Sequence, residues 1–168
     1  MTPGEELPSL TVPITRTLVI AGAIASRDYQ DVHHDAEAAR AKGTPDIFMN
    51  ILTTNGLVGR YVTDYVTGHS GLKAVLRKVS IRLGVPSYPG DVLVLTGRIL
   101  SVNERTSVND HASVNEHASA TERTLANDHA SAADRTIEIS VVGTNRLGRH
   151  VTGRVVVDAH PFPSRATP

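Results

Sequence analysis

Residues 47 to 66 read IFMNILTTNGLVGRYVTDYV, and the predicted fold class depends on this stretch. Its apolar residues lie on more than one side of the helix that it predicts, which is typical of a helix buried inside a domain. A helix-start signal precedes it, with Thr44 as N-cap, Pro45 at the first helical position and Asp46 in the first turn. The sequence therefore predicts a long buried helix that begins at about residue 45 and ends at about residue 66.

The part of the chain after this helix predicts strands. Four stretches are rich in β-branched residues and nearly alternate between polar and apolar side chains, as strands do. They span residues 73 to 85, 91 to 102, 136 to 145 and 150 to 159. Turn residues separate them, including Pro86, Pro89 and Gly90 in the first gap, and Asn145 and Gly148 in the last. Four strands joined largely by hairpins predict an antiparallel sheet, which places the chain in the α+β class.

Two further elements are predicted before the helix. The aliphatic run TLVIAGAIAS, residues 17 to 26, predicts a strand. The stretch DAEAARAKG, residues 35 to 43, predicts a short helix with Asp35 as N-cap and Gly43 just past its end. One antiparallel sheet wrapped around one long central helix satisfies this order of elements.

Residues 101 to 136 form a repeat of six hexads: SVNERT, SVNDHA, SVNEHA, SATERT, LANDHA and SAADRT. A period of six leaves no constant apolar face on a helix, and the polar composition is typical of a loop. A left-handed β-helix is the alternative, but two turns are too few to bury a core. We therefore interpret the hexads as an insertion that lengthens a hairpin of a single domain spanning residues 1 to 168.

Composition excludes several classes of protein. Lysine plus arginine equals aspartate plus glutamate at 17 each, so no basic excess predicts nucleic-acid binding. The longest apolar run, residues 18 to 25, is too short to span a membrane. The N-terminus MTPGEELPSL lacks the basic and apolar regions of a secretory signal. The absence of cysteine excludes disulfides and thiolate metal sites. These features predict a soluble cytoplasmic protein.

The segment RDYQDVHHD, residues 27 to 35, is the candidate site. Asp28 and His33 can act as an acid/base pair, but on a straight helix they would point about 140° apart, so a turn must lie between them. Helix capping is the structural alternative for such aspartates. Asp31, His34 and Asp35 would share a helix face as metal ligands, but two or three more ligands would be needed.

A second metal alternative falls in the hexads, where His111, His117 and His129 recur at multiples of six residues. Repetition alone supplies this spacing, and the repeat offers no fixed scaffold for a metal ion. We therefore predict that the chain has no metal site.

These features together resemble a known family. A strand, D-x-x-x-x-H, a buried helix and antiparallel strands ending in N-x-x-G-x-x-V-x-G resemble the MaoC-like hydratases, which have the hotdog fold and add water to 2-enoyl-CoA thioesters. Asp28 and His33 keep the separation of the family motif D-x-N-P-[IV]-H, whereas Gln30 and Asp31 replace Asn-Pro. RDYQDVHHD, DIFMNILTTNGLVGRYVTDY and IRLGVPSYPGD are similar to the small subunit of the actinobacterial hydratase that acts on steroid side-chain enoyl-CoA esters.

The resemblance implies roles for three residues. Asp28 and His33 would share the proton transfers of hydration around one water. The family's oxyanion donor is a backbone N–H near the start of the central helix, where Met49-Asn50 replaces a frequent His-Gly. Asn50 is therefore the predicted substrate-binding residue, and its side chain is a possible second donor.

The resemblance also implies a single hotdog unit and a binding partner. A second MaoC-like subunit would complete a heterodimer or heterotetramer, and a homodimer is the alternative. No cofactor is expected, because coenzyme A is part of the acyl-CoA substrate. Two other functions stay open, an acyl-CoA thioesterase and a non-catalytic assembly subunit. Four cations are candidates for the phosphates of coenzyme A or for a solvated strand face: Lys73, Arg77, Lys78 and Arg82.

Overall fold

The helices precede four of the five strands along the chain. The computed structural model describes residues 1–105 and 134–162. Strand β1 comes first and is followed by helices α1, α2 and α3, with a short 3₁₀ turn between α1 and α2. Strands β2 to β5 complete the described part of the chain. The elements span Glu6–Pro13 (β1), Arg16–Ala25 (α1), Asp31–His33 (the 3₁₀ turn), Ala36–Ala41 (α2), Ile51–Ser70 (α3), Lys73–Leu83 (β2), Val92–Arg105 (β3), Asp134–Asn145 (β4) and Gly148–His160 (β5).

The five strands form one antiparallel sheet in the order β1-β3-β4-β5-β2. Strand β4 is central, and its alternate residues Ile137, Ile139 and Val141 are buried. Helix α3 buries Val58 and Val62 in the same apolar core. Burying a valine or isoleucine side chain contributes roughly 1.5–3 kcal/mol to stability. One face of the sheet therefore packs on α3, as predicted for the α+β class.

The predicted strand at residues 17 to 26 is wrong, because this segment forms α1. Thr15 caps the helix, and its Oγ1 accepts a hydrogen bond of 3.0 Å from the Leu18 N–H. Val19 and Ala23, one turn apart, are fully buried. A short aliphatic run does not distinguish a strand from a buried helix by its periodicity.

The first strand of the sheet was not predicted. Strand β1 contains Pro8 and Pro13, and prolines normally argue against a strand. It lies at the edge of the sheet, where it pairs only with β3 among the described strands and has a register shift between Leu7 and Leu10. Proline is tolerated at an edge because a missing N–H there breaks no ladder on the solvent side.

The predicted start of the long helix is also wrong. Helix α3 begins at Ile51 with Asn50 as N-cap, six residues after the predicted start at residue 45. The residues of the predicted helix start form other contacts. Thr44 Oγ1 donates to Ala39 O at 2.9 Å, and Asp46 forms an ion pair with Arg16. Residues 44 to 50 consequently form an irregular connection between α2 and α3.

The strands predicted on either side of the hexads are paired, and the pairing continues into the first and last hexads, whose outer residues belong to β3 and β4. Glu104 lies opposite Arg135 and Arg105 opposite Asp134 in the β3–β4 ladder. Hexad residues 106–133 lie outside the described residues, and so do His111, His117 and His129. In the described part of the chain, no helix is long and apolar enough to cross a membrane.

Candidate active site

The end of α1 fixes the backbone of Asp28. Arg27 adopts a left-handed conformation, with φ of 57°. The Arg27 N–H donates to Ile24 O at 3.0 Å, and the Asp28 N–H donates to Ala23 O at 2.9 Å. These two bonds form a Schellman motif, in which a left-handed residue terminates a helix and satisfies its last carbonyls. Asp28 therefore occupies a defined position one residue past the left-handed turn.

His33 is held by the connection that precedes α3. Its Nδ1 lies 2.7 Å from the carbonyl oxygen of Phe48, and the His33 and Phe48 rings meet edge to face at 5.0 Å. A carbonyl only accepts hydrogen bonds, so Nδ1 carries the proton and donates it. In the neutral ring, Nε2 then keeps the lone pair that a general base needs.

The turn between the two residues brings Asp28 and His33 together. Nε2 of His33 lies 3.4 Å from Oδ2 of Asp28, and their side chains are only 7% and 15% exposed. The lone pair of a neutral Nε2 and a carboxylate oxygen are both acceptors. A water molecule that donates to both is the partner that this arrangement favours. The pair thus has the geometry to orient a water and remove its proton.

Asn50 lies beside Asp28, and both the oxygen and the nitrogen of its carboxamide are hydrogen-bonded. Its side chain is buried, and its Oδ1 accepts 2.9 Å from the Thr53 N–H as the N-cap of α3. Its Nδ2 donates to Asp28 Oδ2 at 3.0 Å and to Ser26 Oγ at 2.9 Å. The structure therefore places all three predicted site residues together, while the substrate-binding role of Asn50 stays a prediction.

The three alternative metal ligands in the segment from residue 27 to residue 35 have other partners. Asp31 forms an ion pair with Lys42, which lowers the pKa of the Asp31 carboxyl chiefly through its hydrogen bond. Asp35 caps α2, and its Oδ1 accepts from two backbone N–H groups at 2.9 and 3.0 Å. His34 Nε2 lies 3.2 Å from Tyr29 O. Residues 1–105 and 134–162 contain no group of three or more side chains placed to hold a metal ion.

A buried histidine beneath α3 was not predicted. His150, on β5, is only 1% exposed. Its Nδ1 lies 2.7 Å from Val85 O and its Nε2 lies 3.0 Å from Thr54 Oγ1. The neutral ring fits this pair of contacts, since Nδ1 donates and Nε2 accepts. No local pattern reveals the contact, because Thr54 and His150 are 96 residues apart in sequence.

The burial of His150 predicts that the free energy of unfolding falls at acid pH. Burial lowers the pKa of His150 below its ordinary value of 6.5. Below that pH the unfolded chain binds a proton at this ring that the folded chain excludes, so acid favours unfolding. We expect the free energy of unfolding, measured in urea from neutral pH to about pH 5, to fall more steeply in wild type than in His150→Gln. Equal slopes in the two proteins would contradict this role for His150.

The comparisons with known proteins agree with this geometry. No protein-family model matches the chain. The beta subunit of the 3-oxo-4,17-pregnadiene-20-carboxyl-CoA hydratase of Mycobacterium tuberculosis is 38% identical over 152 residues, which cover 90% of this chain and 92% of that protein. A chain of the ChsH1–ChsH2 complex from Mycobacterium tuberculosis superposes with a TM-score of 0.69 at 35% identity, over 94% of this chain and 98% of that one.

More distant structures share the fold. The (R)-hydratase of A. caviae involved in PHA biosynthesis has a TM-score of 0.66 at 15% identity, over 97% of this chain and 98% of that one. The MaoC-like dehydratase of Rhodospirillum rubrum has a TM-score of 0.69 at 16% identity, over 97% and 95%. The fold, the juxtaposed aspartate and histidine and the identity along most of the chain lead to one assignment: the chain belongs to the MaoC-like, hotdog-fold family of enoyl-CoA hydratases.

Proposed function

We propose that this chain is a subunit of an enoyl-CoA hydratase, which adds water across the 2,3 double bond of a 2-enoyl-CoA to give the 3-hydroxyacyl-CoA. The observation that carries the proposal is the pair formed by Asp28 and His33. Nε2 of His33 lies 3.4 Å from Oδ2 of Asp28, while Nδ1 is bonded to the Phe48 carbonyl. This arrangement leaves one base and one carboxylate placed to bind the same water molecule.

The reaction needs two proton transfers. Nε2 of His33 takes a proton from the water while its oxygen forms the bond to C3, and the Asp28 carboxylate holds the water in place. The π electrons move onto C2 and the thioester oxygen. The pair of Asp28 and His33, called the dyad below, is now protonated. It delivers a proton to C2, which restores the thioester carbonyl. His33 and Asp28 thereby return to their initial protonation states.

The charge that develops on the thioester oxygen requires hydrogen-bond donors. We place this oxygen beside Asn50, at the start of α3. Backbone N–H groups in a first helical turn have no carbonyl partner within the helix, and the helix dipole favours negative charge there. Backbone donors fit this role better than the Asn50 carboxamide, because its Nδ2 is already bonded to Ser26 and Asp28.

The substrate class follows from the relatives. The curated relative is named for a steroid-derived carboxyl-CoA ester, so we propose a steroid side-chain 2-enoyl-CoA as substrate. Large apolar side chains next to the site residues in sequence support a bulky acyl group or a covering subunit. Tyr29 is 66% exposed, Ile51 47% and Leu52 49%. Coenzyme A enters as part of this substrate, so no separate cofactor is proposed.

We also propose a second MaoC-like subunit as partner. The similar chain of Mycobacterium tuberculosis belongs to a complex of two different proteins, ChsH1 and ChsH2. Strand β2 lies at the edge of the sheet and pairs only with β5 among the described strands, so its other side is open to a further strand. A heterodimer or heterotetramer is the proposed state, with a homodimer as alternative, and the proposed location is the cytoplasm.

Co-expression with such a partner tests the proposal. We expect the purified complex to hydrate a steroid side-chain enoyl-CoA, followed by loss of the conjugated thioester's absorbance, and to act less well on a short-chain enoyl-CoA. Release of free coenzyme A instead of hydration would favour the thioesterase alternative. A complex that forms but hydrates no thioester would leave this chain as an assembly subunit and contradict the proposal.

The hexads are proposed to be a dispensable insertion. Because Arg105 lies opposite Asp134, replacing residues 106–133 by Asn-Gly would close β3 and β4 with a two-residue turn. We expect this deletion to keep the melting temperature within a few degrees and the hydration rate within about twofold, since a shorter loop lowers the entropy lost on folding. Failure of the deleted protein to fold, judged by circular dichroism, would contradict this proposal.

A further inference from the structure

The carboxylate of the dyad has a second neighbour besides His33. Asp28 Oδ2, the oxygen that faces Nε2 of His33, also accepts the 3.0 Å hydrogen bond from Nδ2 of Asn50. Its other oxygen, Oδ1, accepts a long contact of 3.4 Å from the Gln30 N–H. Asn50 is therefore the closest side-chain donor to the oxygen that takes part in the proton transfers.

Asn50 is itself held from three directions. Its Oδ1 accepts from Thr53 N at 2.9 Å, which ties the side chain to the first turn of α3. Its Nδ2 also donates to Ser26 Oγ at 2.9 Å, and Ser26 Oγ in turn donates to Gly22 O at 2.7 Å. The carboxamide consequently joins the start of α3 to the end of α1.

The first turn of α3 is also bonded to the sheet, through Thr54. Thr54 Oγ1 lies 3.0 Å from His150 Nε2, and His150 Nδ1 donates to Val85 O at 2.7 Å. The Thr54 N–H donates to Asn50 O at 3.2 Å. Asn50 is thus fixed by buried contacts, and a buried polar group that is fully bonded is rigid.

We propose that Asn50 is a positioning residue of the hydration reaction. Its carboxamide holds Asp28 Oδ2 towards His33 Nε2 and prevents the carboxylate from rotating away. This role deepens the proposed function and differs from substrate binding, because Asn50 acts through Asp28 and has no carboxamide hydrogen left for a ligand.

The charges around the dyad make the role testable. The first turn of α3 contains no acidic residue, and the last turn of α1 contains no basic one. In the 3₁₀ turn, Asp31 is paired with Lys42. Asn50 is neutral, so an aspartate in its place adds a negative charge next to Asp28 without breaking an ion pair.

Two variants separate positioning from structure. Asn50→Asp keeps an N-cap of equal quality but replaces the donor by a second carboxylate beside Asp28. Asn50→Ser also keeps a cap, but its shorter side chain does not reach Asp28. In the complex with the partner, we expect both to lower kcat at least about tenfold with KM nearly unchanged, because a positioned group is lost. Only Asn50→Asp should move the acid limb of the pH–rate profile to higher pH.

An increase in KM with kcat unchanged in both variants would show that Asn50 binds the substrate and would overturn the inference. Unchanged kcat and KM would overturn it as well. If wild type hydrates no enoyl-CoA, the proposed function has failed, and a crystal structure of Asn50→Ser decides the inference alone. Rotation of the Asp28 carboxylate away from Nε2 of His33 supports positioning, whereas a distance that stays near the 3.4 Å of the wild type overturns it.

Discussion

Asp28→Asn and His33→Gln are each expected to lower kcat for hydration by about 100-fold or more, which is the contribution of a positioned acid or base. The Asp28→Asn variant lacks the negative charge that holds the water and that stabilises a protonated His33. In the His33→Gln variant, the new carboxamide can still donate to Phe48 O, but it cannot accept a proton at neutral pH. Stopped-flow measurement of kcat in the co-expressed complex gives the two values.

The control is the fold of each variant. Both substitutions keep the size and polarity of the side chain, so the melting temperature and assembly with the partner should stay close to those of wild type. The kcat of the double variant should be close to that of the slower single variant, because the two residues act as a unit. Activity that survives both substitutions would assign the chemistry to the partner and leave this chain as a scaffold.

Gly22→Ala is expected to have the second large effect. A Cβ at Gly22 would lie 2.2 Å from Oγ1 and 2.9 Å from Cγ2 of Thr53, so α1 would have to move away from α3. Such overpacking costs typically about 1–3 kcal/mol. Because Ser26 and Asp28 follow at the end of α1, the same shift would misplace the dyad, and a displacement of about 1 Å can lower a rate about 100-fold. Urea unfolding and kcat measure the two effects.

The matched control is Thr53→Ala. Thr53 Oγ1 is buried without a hydrogen-bond partner within the described residues, so removing it sacrifices no bond and makes room for the new Cβ. We expect the double variant Gly22→Ala/Thr53→Ala to recover most of the lost stability and activity, which is a favourable coupling between neighbouring sites. Additive losses in the double variant would show that close packing of α1 on α3 does not position the dyad.

The residues of the candidate site are easier to recognise in the sequence than the elements that support them. The separation of Asp28 and His33 is a local motif, so it is visible without the fold. The contacts that hold these residues come from distant segments, such as Phe48 O for His33 and Asn50 for Asp28. Only Asn50 among them was predicted to lie at the site, and its predicted role was substrate binding.

Tertiary packing explains the errors in the elements. Residues 17 to 26 contain enough β-branched and apolar residues to suit a strand, but Gly22 and Ala23 allow this segment to pack as a helix close to α3. Thr44, Pro45 and Asp46 have the composition of a helix start, yet Asp46 is paired with Arg16 on α1. Asn50 became the N-cap, since a cap is chosen by contacts as well as by composition.

Hydration in heavy-oxygen water would decide whether this chain supplies the chemistry of a hydratase. The co-expressed complex would be incubated with a steroid side-chain 2-enoyl-CoA in labelled water, and the products analysed by mass spectrometry. We expect an intact CoA thioester that carries one labelled oxygen as a hydroxyl on C3, formed in wild type and nearly absent in His33→Gln. Label in the carboxylate of a free acid, or no incorporation into the thioester, would contradict the proposed hydration.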